Sequence, residues 1–420
     1  RFGSLDSSLL TINIPAKMFI HFALPVGICL GIGLYLAKPA SERSPLPWAV
    51  RYFLESGQPI LTTQDLQELL SASRLEMAPQ SILISPETAH CLSKEFSKLS
   101  EDPYSAQGQI EFAEAAKDII AKCVPQKLVD EMRAIRDNGH DGVLLVRGMP
   151  IDADPGPTPS DALQPCLNCK RTYIAEGVHL GIASLLGSVY TIELEKGHRL
   201  IHTVAPVKNF ETSKSSKGSA NTLSMHQEDR IHPFSPECFV LTCVRADPEG
   251  VAETSVGSFW DIAPALANPD AEDLLHTLQK PIFAFFTPEV YAESGVKRQV
   301  LGPVLRFEMD SATEQLRPVL ALNWNGMKAM TSEGEQALKD LHDMFKGSWR
   351  SVRMKPGDMM LIYNPSVIHT RTTAFKVHGD GTDRWLLRSL VHPSPAALII
   401  PKTSALNLMP GSVSMAVNDK

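Results

Sequence analysis

The chain has 420 residues, 43% of them hydrophobic and 21% charged, a balance that supports a folded protein with a substantial core and argues against a disordered one. A formal net charge of −7 without any Lys/Arg run argues against a nucleic-acid partner. The seven cysteines are odd in number and scattered, which fits no disulfide framework and points to a reducing compartment.

In chain order, residues 18–37 (MFIHFALPVGICLGIGLYLA) come first and hold no Asp, Glu, Lys or Arg over 20 positions, long enough to cross a bilayer. They fit a membrane anchor, a leader or an artefact of the gene model, and Lys17 and Lys38 on the two sides set no orientation. The expected location is cytoplasmic, or membrane-anchored through 18–37. A Pro- and Ser-rich linker follows (38–50, KPASERSPLPWAV). The expected organisation is a hydrophobic segment and linker over 1–45, a helical extension over 46–104, a main domain over 105–398 and a tail over 399–420.

Two amphipathic helices are predicted between 108 and 138. Ile110, Phe112, Ala115, Ile119 and Ile120 share a stripe on the first; Pro125 starts the second, whose buried face is Leu128, Met132 and Ile135. GVLLV (142–146) reads as a buried strand. Cys166-Leu-Asn-Cys169 has zinc spacing, but no second pair or matching histidines follow, so a local disulfide or plain loop cysteines are expected. Another helix is predicted over roughly 174–187, and the polar stretch 208–222 has the composition of a mobile lid.

From about 223 the pattern turns to short strands broken by Pro, Gly and Asp: 238–244, 281–286, 318–324, 349–354, 358–364 and 384–392. One helix interrupts them near 333–346, where Ser332 and Glu335 form a capping box. Such spacing predicts a mainly β sandwich or barrel with flanking α-helices.

The chemistry concentrates in this half. His226 and Glu228 in LSMHQEDRIHPF share a face if the backbone is extended, whereas on a helix they would diverge by about 200°. A polar surface loop explains the same residues, so the pattern needs a third ligand. His369, at the exit of the apolar strand in KPGDMMLIYNPSVIHT, is the candidate, with a satisfied core histidine as its other reading. In DRWLLRSLVH, Arg384 and Arg388 share one strand face opposite Trp385, Leu387 and Ser389. Two arginines facing a barrel interior require an anion, and a planar guanidinium suits a carboxylate. Two histidines, one carboxylate and a buried arginine match the facial triad of non-haem iron oxygenases.

Through these residues the chain resembles the clavaminate synthase-like branch of the iron(II)/2-oxoglutarate-dependent oxygenases, within the wider TauD-like group. The similarity lies in HQEDRIHPFSPECFVLTCVRADPEGVAETSVGS (226–258) and in the later series of Gly-Asp strand, His369, Arg-Thr and DRWLLR, and it covers roughly residues 105–398. It implies a double-stranded β-helix (jelly-roll) core, iron(II) held by His226, Glu228 and His369, and Thr254 and Arg384 on the distal carboxylate of 2-oxoglutarate. Arg388 lines up with an arginine that faces the substrate in amino-acid hydroxylases. Glu308 and Asp310 in VLRFEMD line up with an acidic pair offered to a basic substrate side chain, an exposed acidic turn being the other reading. His232 takes a supporting or substrate-side place. Gln227 and Asp229-Arg230-Ile231 depart from the family's usual Thr and Met-Ala-Tyr.

The implied activity uses dioxygen to hydroxylate an unactivated C–H bond of a small amino-acid-like substrate, with release of succinate and CO2. Desaturation or epoxidation needs the same ligands. A non-catalytic jelly-roll binding protein and a zinc hydrolase are the alternatives from other classes. The intact set His226, Glu228, His369 and Arg384 argues against the first, and Arg384 against the second.

Overall fold

Continuous apolar runs dictate the central sheet, because strands covered on both faces have no need of polar alternation. The computed structural model describes residues 60–72, 81–136, 141–161, 170–192, 198–213, 215–230, 235–286, 299–310, 315–393, 399–400 and 413–415, all within one compact unit, Glu55–Lys420. Strands and helices are numbered in chain order. The larger sheet runs Ser81–Leu83 (β1), Val143–Arg147 (β2), Met359–Tyr363 (β14), Cys238–Arg245 (β6), Trp385–His392 (β16), Ser188–Ile192 (β3) and Ile399–Ile400 (β17). His202–Val204 (β4) also pairs with β16. The facing sheet runs Arg350–Val352 (β13), Thr254–Ser258 (β7), Val367–Arg371 (β15) and Leu223–His226 (β5).

Strand alternation sorts side chains between two cores. On β16, Leu386 and Leu390 join Val256, Met360 and Val367 between the sheets. Trp385, Leu387 and Val391 point outward and pack with the helices Pro86–Phe96 (α2), Gly108–Cys123 (α3), Gln126–Arg133 (α4) and Ile174–Leu186 (α5). This is the expected jelly-roll, mainly β with flanking helices. Behind the smaller sheet a third core gathers Thr63–Ala72 (α1), Phe259–Leu266 (α6), Glu272–Leu278 (α7) and Ser332–Gly347 (α8). Beside it lie a sheet of Met327–Ala329 (β12), Phe283–Phe286 (β8), Gln299–Gly302 (β9) and Val413–Met415 (β18), and a hairpin of Leu305–Met309 (β10) and Leu316–Leu320 (β11).

The α3–α5 contact depends on glycine. A Cβ at Gly181 would sit 2.4 Å from Ile120 Cγ1, and one at Gly177 would sit 2.3 Å from Phe96 Cδ1, so α5 approaches its neighbours along a face without side chains.

Several local expectations shift. The buried stripe of α3 is Gln109, Phe112, Ala116, Ile120 and Cys123, turned away from Ile110 and Ala115, because Gln109 reaches inward to hydrogen-bond the backbone of His198 and Leu200. On α4 the buried residues are Val129 and Met132, and Leu128 is half-buried. The cap of α8 is Thr331 rather than Ser332: Thr331 is extended and its side chain accepts from Gly334 N at 3.2 Å. β11 ends at Leu320, two residues earlier in start and four in end than the predicted 318–324, because Ala321 N turns to Val304 O and Leu322 N to the Gln227 side chain.

Cys91 and Cys123 form a disulfide between α2 and α3 with Cα atoms 5.7 Å apart, a bond at odds with the expected reducing compartment. Their separation of 32 residues carries no spacing signal; helix packing alone brings them together. Cys238 and Cys243 are free and buried. Residues 18–37, the Cys166/Cys169 pair and His232 lie outside the described residues. Among the described residues no helix is long and apolar enough to cross a membrane.

Candidate metal centre and anion pocket

Antiparallel pairing of β5 with β15 places His226 directly opposite His369, so two residues 143 positions apart share one face at one rung. Their rings lie 4.1 Å apart between centroids. Glu228 sits just past the end of β5, held in place by Asn364: Glu228 N donates to Asn364 Oδ1 at 3.0 Å and Asn364 Nδ2 donates back to Glu228 O at 2.8 Å. The next residue, Asp229, adopts φ 42°, a left-handed turn that ends the extended segment after Glu228. One ligand atom from each of His226, Glu228 and His369 lies within 4.8 Å of the others, in a mostly buried setting.

This donor set fits a divalent metal. His226 Nδ1 lies 2.8 Å from Ser224 O; a carbonyl can only accept, so Nδ1 carries the proton and the Nε2 lone pair is available to a metal. His369 Nε2 lies 3.4 Å from Glu228 Oε1, and Phe239 packs its ring 4.8 Å from the His369 ring. Burial and the neighbouring His369 push His226 down to about 4, which keeps it neutral and able to ligate near neutral pH. Burial alone would raise the Glu228 carboxyl, but Arg388 and the two histidines outweigh it and hold it well below the usual carboxylate range.

A second polar cluster faces the same interior. Arg384 Nη2 donates to Thr254 Oγ1 at 2.8 Å, and both residues are buried. Arg384 has no ion-pair partner among the described residues. Burial lowers its pKa, against the pull of Cys243 and Asp247, a cost that a carboxylate placed beside it would offset.

Arg388 reaches the cluster, but as an inward partner of Glu228: Nη1 lies 2.6 Å from Glu228 Oε2 and Nη2 2.9 Å from His202 Nδ1. Glu308 and Asp310 sit on the β10–β11 hairpin with arginines of their own, Glu308 with Arg306 at 2.7 Å and Asp310 with Arg317. A basic substrate group would have to exchange with these partners. Arg230, which departs from the family's pattern, ties the turn to Leu320 O and Ser235 Oγ at 3.0 Å each. Beside it lies a small open cleft lined by Asp229, Phe285, Phe286, Leu322 and Asn323.

Two residues of the site escaped the sequence reading. Asn364 carried one faint signal, a polar residue at the end of an apolar strand in front of Pro365. His202 carried none, since its place beside Arg388 follows only from β4–β16 pairing.

The family model described as "Taurine catabolism dioxygenase TauD, TfdA family" matches residues 124–390. L-asparagine oxygenase of Streptomyces coelicolor is 29% identical over 259 residues, covering 61% of this chain and 72% of the relative. Enduracididine beta-hydroxylase of Streptomyces hygroscopicus is 27% identical over 305 residues, covering 68% of this chain and 86% of the relative. A solved structure of asparagine oxygenase in complex with Fe(II), 2S,3S-3-hydroxyasparagine and succinate superposes with a TM-score of 0.65 at 25% identity, covering 77% of this chain and 99% of that one. With the jelly-roll, the His-Glu-His cluster and a matched span of well over half its length, the chain belongs to the TauD/TfdA dioxygenase family.

Proposed function

We propose that the protein is an iron(II)- and 2-oxoglutarate-dependent dioxygenase that hydroxylates an unactivated C–H bond of a small amino-acid-like substrate. The observation that carries this is the convergence of His226, Glu228 and His369 in one face of the barrel with Arg384, which has no ion pair among the described residues, and its partner Thr254 alongside. The amino-acid hydroxylases among the relatives support the substrate class.

In this reading His226, Glu228 and His369 hold iron(II). The bound metal, with 2-oxoglutarate and dioxygen, supplies an oxidant for the C–H bond, and succinate and CO2 leave as coproducts. Arg384 and Thr254 anchor the distal carboxylate of 2-oxoglutarate, which fixes the other end of that molecule toward the histidines. Asn364 sets the backbone of Glu228, Ser224 sets the His226 tautomer, and Arg388 orients Glu228 while presenting a cation on the substrate side. Phe239 and the apolar interior exclude water. Residues 18–37 as a membrane anchor are a separate proposal, tested by the detergent dependence of the full chain against a chain that starts at Pro45.

Anaerobically iron-loaded protein should convert 2-oxoglutarate to succinate on exposure to air and an accepted amino acid, and His369→Ala should abolish this. Failure of the wild type to bind iron(II) or 2-oxoglutarate refutes the proposal, and so does turnover that survives His369→Ala.

A further inference from the structure

We propose that Arg371 is a second cation of the cosubstrate pocket and couples its occupancy to the loop 205–222. The inference rests on the 2-oxoglutarate reading above and deepens it. Its first support is register. β15 pairs with β7 as His369↔Val256 and Thr370↔Ser255, so the next step sets Arg371 opposite Thr254, the residue that accepts from Arg384. Along β15 itself alternation puts Arg371 on the face of His369 rather than that of Ile368, while the pairing with β5 shifts register between these two residues. The metal cluster and Arg371 therefore share the wall made by the smaller sheet, and Arg384 reaches toward it from the larger sheet opposite.

The second support is what surrounds the guanidinium. Arg371 is 7% exposed, its Nε has no hydrogen-bond partner, and it makes no ion pair among the described residues. Two buried arginines directed at Thr254, one by hydrogen bond and one by register, leave positive charge that a carboxylate with two oxygens can neutralise, one oxygen for each cation. Thr254 then supplies a hydroxyl to the same anion.

The third support is the far end of the side chain. Arg371 Nη2 donates to Asn221 O at 2.8 Å, and its Cζ stacks 5.2 Å from the Phe375 ring. Phe375 N in turn donates to Ser219 O at 3.0 Å. Both contacts hold the loop that joins β4 to β5, which carries the turn at Asn209 (φ 71°) and the exposed Phe210. Without an anion, repulsion from Arg384 works against the position of Arg371 that grips Asn221. With the anion bound, that repulsion is offset and the grip tightens. Cosubstrate would thus fasten the loop before substrate is processed, an order that protects the oxidant from water.

The test is hydrogen exchange of residues 205–222 in the full-length, Mn(II)-loaded protein under nitrogen, with and without saturating 2-oxoglutarate, alongside calorimetric titration of 2-oxoglutarate. Wild type should bind 2-oxoglutarate and slow exchange in the loop several-fold. Arg371→Gln should weaken 2-oxoglutarate by about 10- to 100-fold, the range for loss of one charged hydrogen bond, and give no slowing at saturation. Arg371→Lys, which keeps the charge but loses the fork, should bind 2-oxoglutarate within a few fold yet fail to slow exchange. If wild type binds 2-oxoglutarate and the loop exchanges at the same rate, the inference is overturned while the proposed function stands. Unchanged affinity in Arg371→Gln overturns it equally. If wild type does not bind 2-oxoglutarate at all, the proposed function itself fails.

Discussion

Replacing Asn364 by Ala isolates how the backbone holds the metal cluster. The side chain is fully buried and serves three backbone groups: it accepts from Glu228 N at 3.0 Å and donates to Glu228 O at 2.8 Å and Pro236 O at 3.0 Å. Each buried group left without a partner costs about 1–3 kcal/mol, and partial relaxation and entry of a water make the sum less than additive, so a loss on the order of 3 kcal/mol is expected. The larger diagnostic is metal affinity. Glu228 follows a strand end and precedes a left-handed residue, so Asn364 fixes its backbone where the β-ladder no longer does, and its loss should weaken iron(II) by about 10- to 100-fold. Urea unfolding of the metal-free protein measures the first effect, and anaerobic iron(II) competition against a chromophoric chelator the second. Asn364→Asp keeps the acceptor but turns a carboxylate oxygen on two carbonyls, so it should be at least as damaging, with partial recovery as the pH falls and the new acid can donate. An Ala variant that loses stability yet binds iron(II) like the wild type would refute the argument that Asn364 positions Glu228.

Two further outcomes follow from the helical layer. His179 bridges Thr242 Oγ1 at 2.7 Å and Ser389 Oγ at 2.9 Å in full burial, which pushes it down to about 3. Its ordinary value is 6.5, so between these limits the unfolded chain binds a proton that the folded chain does not. Stability from this group is complete above pH 6.5 and falls as the pH drops toward 3, by up to about 1.4 kcal/mol per pH unit. Denaturation measured at pH 7 and 5 should show a shallower loss in His179→Gln; an identical pH slope counts against the burial argument. Gly181→Ala should destabilise by about 1–3 kcal/mol because the new methyl meets Ile120 Cγ1 and the Ala116 carbonyl, and wild-type stability in urea would show that α3 and α5 can separate freely.

The sequence revealed what repeats along a strand and hid what depends on distant pairing. β2, β6, β14 and β16 were legible because burial on both faces leaves apolar runs, and Arg388 on β16 and Arg384 just before it stood out as the charged exceptions. His226, Glu228 and His369 were legible as residue types, but only the β5–β15 rung unites them. Asn364 and His202 act on residues 136 and 186 positions away, and no local period marks such contacts. Arg371 was visible merely as part of an Arg-Thr pair, since its partner Asn221 lies 150 positions away in a loop. The Cys91–Cys123 bond was hidden for the same reason.

The rung that unites His226 with His369 has a consequence for biosynthesis. During synthesis the first two donors leave the ribosome well before the third, and β15 cannot pair until it too has emerged. A partly made chain therefore offers only a bidentate, exposed His and Glu, which hold metal weakly and leave no closed interior around it. On the proposed ligand set, tight metal uptake would report that the barrel has closed.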